Sequence, residues 1–377
     1  MTRSEMCATA GLSSGARTSA ISKQFLLSLA ICGSLINFGR SEEQVDKRTY
    51  DNRLTPISNP QPLLADHPEF VEPIRETARF EAAAIVDQSQ ADLDVRAWRF
   101  SYNARGIVET PNHLRGKETA IIVVHPWGID DGQGWITPQP AGVAFQCTPE
   151  KNKILNQHIG QVIDPFLTAI RPHVGLVLYS LPGKEDAIRK QIYRSFRAIP
   201  TAEDRRKGGE QLKERLANFE YRGQPLAKEL KLDRELPLPD YFKQFRGLDA
   251  TATFNNTGFW EQPVPVSKQI HVDPQDVVIY DGEGYPPLRD FLKKQGIRHV
   301  LLTGYNTDMC FCKTTAGYDN LSPDFNVFLV GDATIATFPA NPSPQFATNA
   351  AISFASLEHL VTQVSWIKPR RAAQAKK

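Results

Sequence analysis

Net charge is the first thing this chain has little of: 44 Lys and Arg stand against 42 Asp and Glu in 377 residues, a formal +2. The basic residues are scattered, so the charge gives no argument for a nucleic-acid partner. Long apolar runs are missing too. The apolar stretch at residues 25–36 falls short of the roughly 20 residues that span a bilayer. Cysteine is scarce, with five in all. Once an N-terminal leader is set aside, three remain, Cys147, Cys310 and Cys312, and an odd count excludes complete internal pairing. Cys310 and Cys312 are two apart and do not face each other on a helix. A bridge from Cys147 to either one stays open.

What is present begins with that leader. Arg3, Arg17 and Lys23 precede the apolar run and Arg40-Ser41-Glu42-Glu43 follows it. Residues 1–39 therefore read as an export signal, which predicts a periplasmic or extracellular protein with no membrane attachment after cleavage. The plainer alternative is an uncleaved apolar helix. Leu29-Ala30-Ile31-Cys32 resembles a lipoprotein box, but Ile31 is bulky where a small residue belongs, so no lipid anchor is expected at Cys32. Hydrophobic residues make up 41% and charged residues 23%, which is ordinary for a soluble globular chain. The 27 prolines cluster near the N-terminus and in 181–275, where long irregular connections are expected.

Residues 40–116 lack sustained periodicity and read as a proline-rich arm packed on the main domain. The alternation at 94–102 predicts one strand there. From 117 to 368 apolar runs alternate with helical text. Strands are predicted at 119–125, 174–180, 276–280, 299–303, 326–330 and 361–367, and helices at 154–170, 287–295, 311–319 and 344–360. The predicted fold class is α/β, with a six-stranded, mostly parallel, doubly wound sheet. In such sheets ligands bind outside the carboxyl ends of the strands. His125, Ser180, Asp281 and the 305–310 turn all fall there. The insertion at 181–275 carries charged helical text and leaves from a strand's carboxyl end, so it either covers the site or makes a subunit contact. Residues 369–377 read as a basic, solvated tail.

The most informative stretch is Thr303-Gly304-Tyr305-Asn306-Thr307-Asp308-Met309-Cys310. An apolar strand runs into a small-residue turn that delivers a cysteine to a helix start. Unpaired N–H groups and a positive dipole there favour the thiolate and can hold an oxyanion. The bland alternative is a buried structural thiol.

Residues from about 117 to 367 resemble the isochorismatase-like cysteine hydrolases. The resemblance rests on Val124-His125-Pro126-Trp127 after the first strand, the Cys310 turn, Val330-Gly331-Asp332-Ala333, and the closing helix and strand. It implies a three-layer α/β/α sandwich with a six-stranded parallel sheet. It also implies a cis peptide before Asn306 or Thr307, with Asn306, Thr307 and Met309 forming the turn around an oxyanion. Members usually carry an Asp–Lys–Cys triad, and here the match is partial. Cys310 stands at the nucleophile position, which points to the amidase side of the family. His125 replaces the usual aspartate, the lysine is missing, and Asp281 lies nearest its place. The nicotinamidase-type metal signature does not appear, so no metal and no other cofactor is expected. Members often form dimers or larger assemblies, which makes a homo-oligomer an expectation.

Two functions follow from the altered triad. In the first, His125 pairs with Cys310 as the base, and Asp281 or Asp130 orients the imidazole. The substrate is then a small amide or carbamoyl compound whose C–N bond is cleaved through a thioester, with Trp127 and Tyr305 as apolar walls. In the second, the machinery has decayed, and the protein is a non-catalytic exported relative that binds a small molecule or serves a structural role. The bland readings are a hydrogen-bonded structural histidine for His125 and plain turns for Asp281 and Asp130-Asp131-Gly132.

Overall fold

The computed structural model describes residues 52–137, 149–218, 262–336 and 344–370. The export signal, Cys147, residues 219–261 of the insertion and residues 371–377 of the tail lie outside the described residues. Strands β1 (Thr55–Pro56), β2 (Arg79–Glu81), β3 (Leu93–Ser101) and β4 (Gly106–Leu114) come from the arm. Next are β5 (Thr119–Val124), α1 (Pro149–His158), a π turn at Ile159–Ile163, α2 (Asp164–Ile170) and β6 (Leu176–Leu181). The insertion contributes α3 (Arg189–Ile192) and α4 (Ala202–Ala217). Alternation resumes with β7 (Val277–Tyr280), α5 (Tyr285–Lys294), β8 (His299–Tyr305), α6 (Cys310–Lys313) and α7 (Tyr318–Leu321). The chain closes with β9 (Asn326–Ile335), α8 (Pro344–Ala355), β10 (Leu360–Thr362) and β11 (Ile367–Pro369).

Six parallel strands run in the order β10-β9-β8-β5-β6-β7. β5 and β8 are buried along their whole length, and their apolar stretches 120–124 and 300–302 are what strands covered on both faces require. The chain winds outward from β5 through β6 to β7, then returns to the other side of β5 with β8, β9 and β10. The switch in direction lies between β5 and β8, where a crevice opens at the strands' carboxyl ends.

The arm does more than pack on the domain. β3 pairs antiparallel with β10 and β4 with β3, so the hairpin extends the parallel sheet and covers its β10 edge. An unpaired edge strand would otherwise expose its backbone polar groups. Ion pairs tie β2 to the hairpin: the buried Arg79 guanidinium grips the buried Glu109, and the partly exposed Arg96 bridges Glu109 and Glu81. The last predicted strand, 361–367, is split into β10 and β11 by a single tight turn at Val364–Trp366. Among the described residues, no helix is long and apolar enough to cross a membrane.

The described part of the insertion packs beside the crevice. Leu212 and Leu216 of α4 join Trp127, Ile129, Trp135 and Val264 in a small apolar cluster separate from the main core. Trp127 also bridges Val266 across the backbone. The insertion thus braces the segment that leaves β5.

Candidate active site

The crevice between β5 and β8 brings four chain segments together. β5 ends at His125, whose amide donates to the Ser180 carbonyl at 2.9 Å. His125 adopts a left-handed backbone, φ 49°, a conformation uncommon for a side chain of this size. The residue is buried. Its Nε2 meets Asp281 Oδ2 at 2.7 Å, just beyond the end of β7. Trp127 stacks on the ring at a centroid distance of 5.3 Å and an interplanar angle of 28°.

Asp281 is held from three sides. Besides His125, it accepts Ser180 Oγ at 3.1 Å on Oδ1 and Thr314 Oγ1 at 2.5 Å on Oδ2. Its backbone carbonyl accepts Thr315 Oγ1 at 2.9 Å. Burial alone would raise its pKa, but the His125 charge and these donors outweigh burial and hold the carboxyl below its ordinary range. The converse holds for His125. Burial alone would lower its pKa, yet the charges of Asp281 and Cys310, with hydrogen bonding to both, push it up to about 10.

The Cys310 thiol therefore lies within electrostatic reach of the imidazole. His125 Nδ1, the nitrogen left over from Asp281, makes no hydrogen bond of standard geometry. A thiol that faces the ring without being aligned to it reconciles these two observations. Catalytic hydrogen bonds are often long or poorly aligned before substrate arrives. Cys310 and Cys312 are both free thiols. Burial pushes the Cys312 thiol up to about 11, and its Sγ leans on the Thr307 carbonyl at 3.9 Å.

The Cys310 turn follows from β8. Gly304 sits at φ 101°, and a Cβ there would lie 2.1 Å from the Val124 carbonyl oxygen, so only glycine lets β8 close on β5 at this point. The Tyr305–Asn306 peptide is cis, the first of the two positions the resemblance implied. The Asn306 carbonyl then accepts the amides of Met309 at 2.9 Å and Phe311 at 3.1 Å.

Several sequence expectations are corrected here. The Thr307 amide donates to Ile335 O of β9 at 3.3 Å and the Met309 amide to Asn306 O within the turn, so neither is offered to an oxyanion. Among the described residues, the Cys310 amide that follows them has no such acceptor. The helix predicted over 311–319 is broken into α6 and α7, with Thr314 extended at φ −79°, ψ 179°. One turn of helix builds little macrodipole, so the charge beside the thiol comes from His125 instead. Asp130 is not on the imidazole. Its carboxylate holds the Thr137 amide at 2.8 Å, the Thr137 hydroxyl and Asn152 Nδ2 at 2.8 Å, which folds the loop after β5. Tyr305 is 1% exposed and turned into the core. His158 Nε2 donates to the Asp332 carbonyl at 2.9 Å, so Nδ1 accepts the Tyr305 hydroxyl at 2.6 Å. Burial pushes His158 down to about 3, which keeps it in that neutral form. Thr314 and Thr315 were missed as partners of Asp281. Their signal in the sequence was a hydroxyl pair one helical turn beyond Cys310. Among the described residues, no three His, Cys, Asp or Glu side chains converge as a metal site would need.

The family model described as the isochorismatase domain matches residues 249–359. That stretch, under a third of the chain, is what is similar to the isochorismatase domain. No curated protein matches the chain. Among solved structures, an isochorismatase-like hydrolase from Alkaliphilus metalliredigens is 13% identical, covers 66% of this chain and 96% of its own, and superposes with a TM-score of 0.34. The nicotinamidase SaPncA from Staphylococcus aureus is 13% identical over 66% of this chain and 99% of its own, TM-score 0.30. The zinc-bound pyrazinamidase of Pyrococcus horikoshii is 14% identical over 65% and 99%, TM-score 0.33. Superpositions this loose carry nothing about the reaction.

Proposed function

We propose that this chain is a hydrolase that cleaves a small amide or carbamoyl-type C–N bond through Cys310, with His125 and Asp281 completing the triad. The observation that carries the reading is the buried imidazole, bonded by a carboxylate on one nitrogen and facing a free thiol. With a pKa of about 10, His125 is protonated at neutral pH. Cys310 attacks the substrate carbonyl as the thiolate, its proton already on His125. The oxyanion that forms is met by the Cys310 amide. As the tetrahedral intermediate collapses, the C–N bond breaks and His125 gives its proton to the leaving nitrogen.

The thioester left behind has no charge on sulfur. That removes one of the charges that raise His125, so its pKa falls at the moment a base is needed. The neutral imidazole takes a proton from water, hydroxide attacks the thioester, and the acid leaves as Cys310 is released with its charge. Asp281 keeps the imidazole in place through both steps, as carboxylates do in other triads. Trp127 forms one apolar wall.

The test is the pH profile of iodoacetamide alkylation at Cys310 in the folded protein, resolved by peptide mapping. Cys310 should react at least tenfold faster than Cys312 at pH 7, and Cys310→Ala should abolish turnover of any amide in a primary-amide panel. Equal, slow alkylation of both thiols would end this reading.

A further inference from the structure

Asp281 is gripped by the same segment that carries the nucleophile. The Thr314 amide donates to the Cys310 carbonyl at 3.1 Å, while its hydroxyl donates to Asp281 Oδ2 at 2.5 Å. That oxygen also receives His125 Nε2 at 2.7 Å. Thr315 adds a bond to the Asp281 carbonyl at 2.9 Å. One short chain of contacts therefore runs from the Cys310 backbone through Thr314 to Asp281 and on to the imidazole that faces the Cys310 thiol.

We propose that Thr314 is a positioning residue, which clamps the Cys310 turn to Asp281 and thereby sets how the thiol meets His125. The catalytic meaning of the clamp rests on the function proposed above, but the clamp itself does not. The helix break after Lys313 has its reason here. An α-helical Thr314 would continue α6, whereas the extended conformation at ψ 179° is the one in which its hydroxyl bonds the carboxylate. The titratable groups that raise or lower Asp281 are led by His125 from the end of β5, with Ser180 from β6 and Thr314 as neutral donors.

A hydroxyl that donates to a carboxylate favours its charged form. Thr314→Val removes that donor at nearly constant shape, and Thr314→Ala removes it without the branched bulk. In both, the Asp281 side-chain carboxyl resonance should titrate about one pH unit higher, as expected for loss of a hydrogen bond to a charged group. The pH profile of Cys310 alkylation should change along with it, because the Asp281 charge acts on the thiol through His125. Thr314→Ser keeps the hydroxyl and should restore both. A carboxyl titration that stays put in Val and Ala, a serine variant that behaves like them, or loss of fold in both by circular dichroism would overturn the proposal. The two ideas fail separately. An unreactive wild-type Cys310 sinks the hydrolase, while the carboxyl titration still decides the clamp.

Discussion

Replacing His125 with glutamine should flatten a pH dependence of stability that the wild-type fold carries. The imidazole has an ordinary pKa of 6.5 and a folded value of about 10. A group whose folded pKa is raised contributes stability that is fully present below its unfolded value and lost as pH rises through the folded one. For the imidazole alone the window is therefore pH 6.5 to 10. With Cys310 as the thiolate its proton sits on His125, so the native pair gains no net proton until the unfolded thiol ionises at about pH 8.5. From there to about pH 10 the native state holds one more proton than the unfolded chain, and unfolding free energy falls by about 1.4 kcal/mol per pH unit. The loss reaches roughly 2 kcal/mol, a sizeable share of a typical domain's roughly 5–15 kcal/mol. The imidazole side chain is only 5% exposed, so solvent screening takes little from this figure. Asp281 belongs to the same pair and is not counted again. Its own contribution is present above the ordinary carboxylate range and is lost as pH falls through its depressed value. The assay is urea unfolding by tryptophan fluorescence at half-unit steps from pH 6 to 10, for wild type and His125→Gln. Tyrosines, lysines and the other thiols titrate in both proteins and cancel in the difference. Two parallel curves would refute the ion-pair reasoning, whatever the absolute stabilities.

Asp281→Asn should lower the imidazole pKa further than Cys310→Ala does, because Asp281 is the larger of the two charges that raise it; imidazole NMR titrations would check the order. Gly304→Ala should prevent folding or cost more than about 4 kcal/mol, since its Cβ would press on the Val124 backbone at a positive φ; soluble yield and urea midpoints report it. Truncating Glu109 to alanine leaves Arg79 charged and buried in the arm, and should cost about 3–5 kcal/mol in unfolding free energy by the same urea titration. Burial pushes Asp332 up from 3.8 to about 7, with Oδ1 on the Val364 amide and Oδ2 without a partner among the described residues. Stability is then lost as pH rises from about 4 to about 7, where the unfolded carboxyl ionises while the folded one keeps its proton. Asp332→Asn should gain up to about 4 kcal/mol on wild type over that interval, less the cost of an unpaired amide; comparing unfolding at pH 4.5 and 8 tests the sign.

The parallel core was legible because its signal is local. A strand covered on both faces is apolar through its centre, and 120–124 and 300–302 are. The position of Cys310 was legible for a similar reason, since a glycine-containing turn between strand and helix is written in consecutive residues. The proximity of His125 to Cys310 could be expected once both were assigned to strand ends, because a doubly wound sheet gathers those ends at one crevice. What tertiary structure decided was which groups in the crevice meet. Asp281 and Asp130 both stood near strand ends, and only packing put the first on the imidazole and folded the second into its own loop. Tyr305 lay in the turn by sequence, yet it ends β8 and its hydroxyl is bonded to the buried His158. Local text over 311–319 supports a helix, but the Asp281 carboxylate, distant in sequence, pulls Thr314 out of it. Sequence determines the period and burial of each element through its own side chains. The partners of a polar side chain depend on distances between segments a hundred residues apart, and those exist only after the sheet has closed.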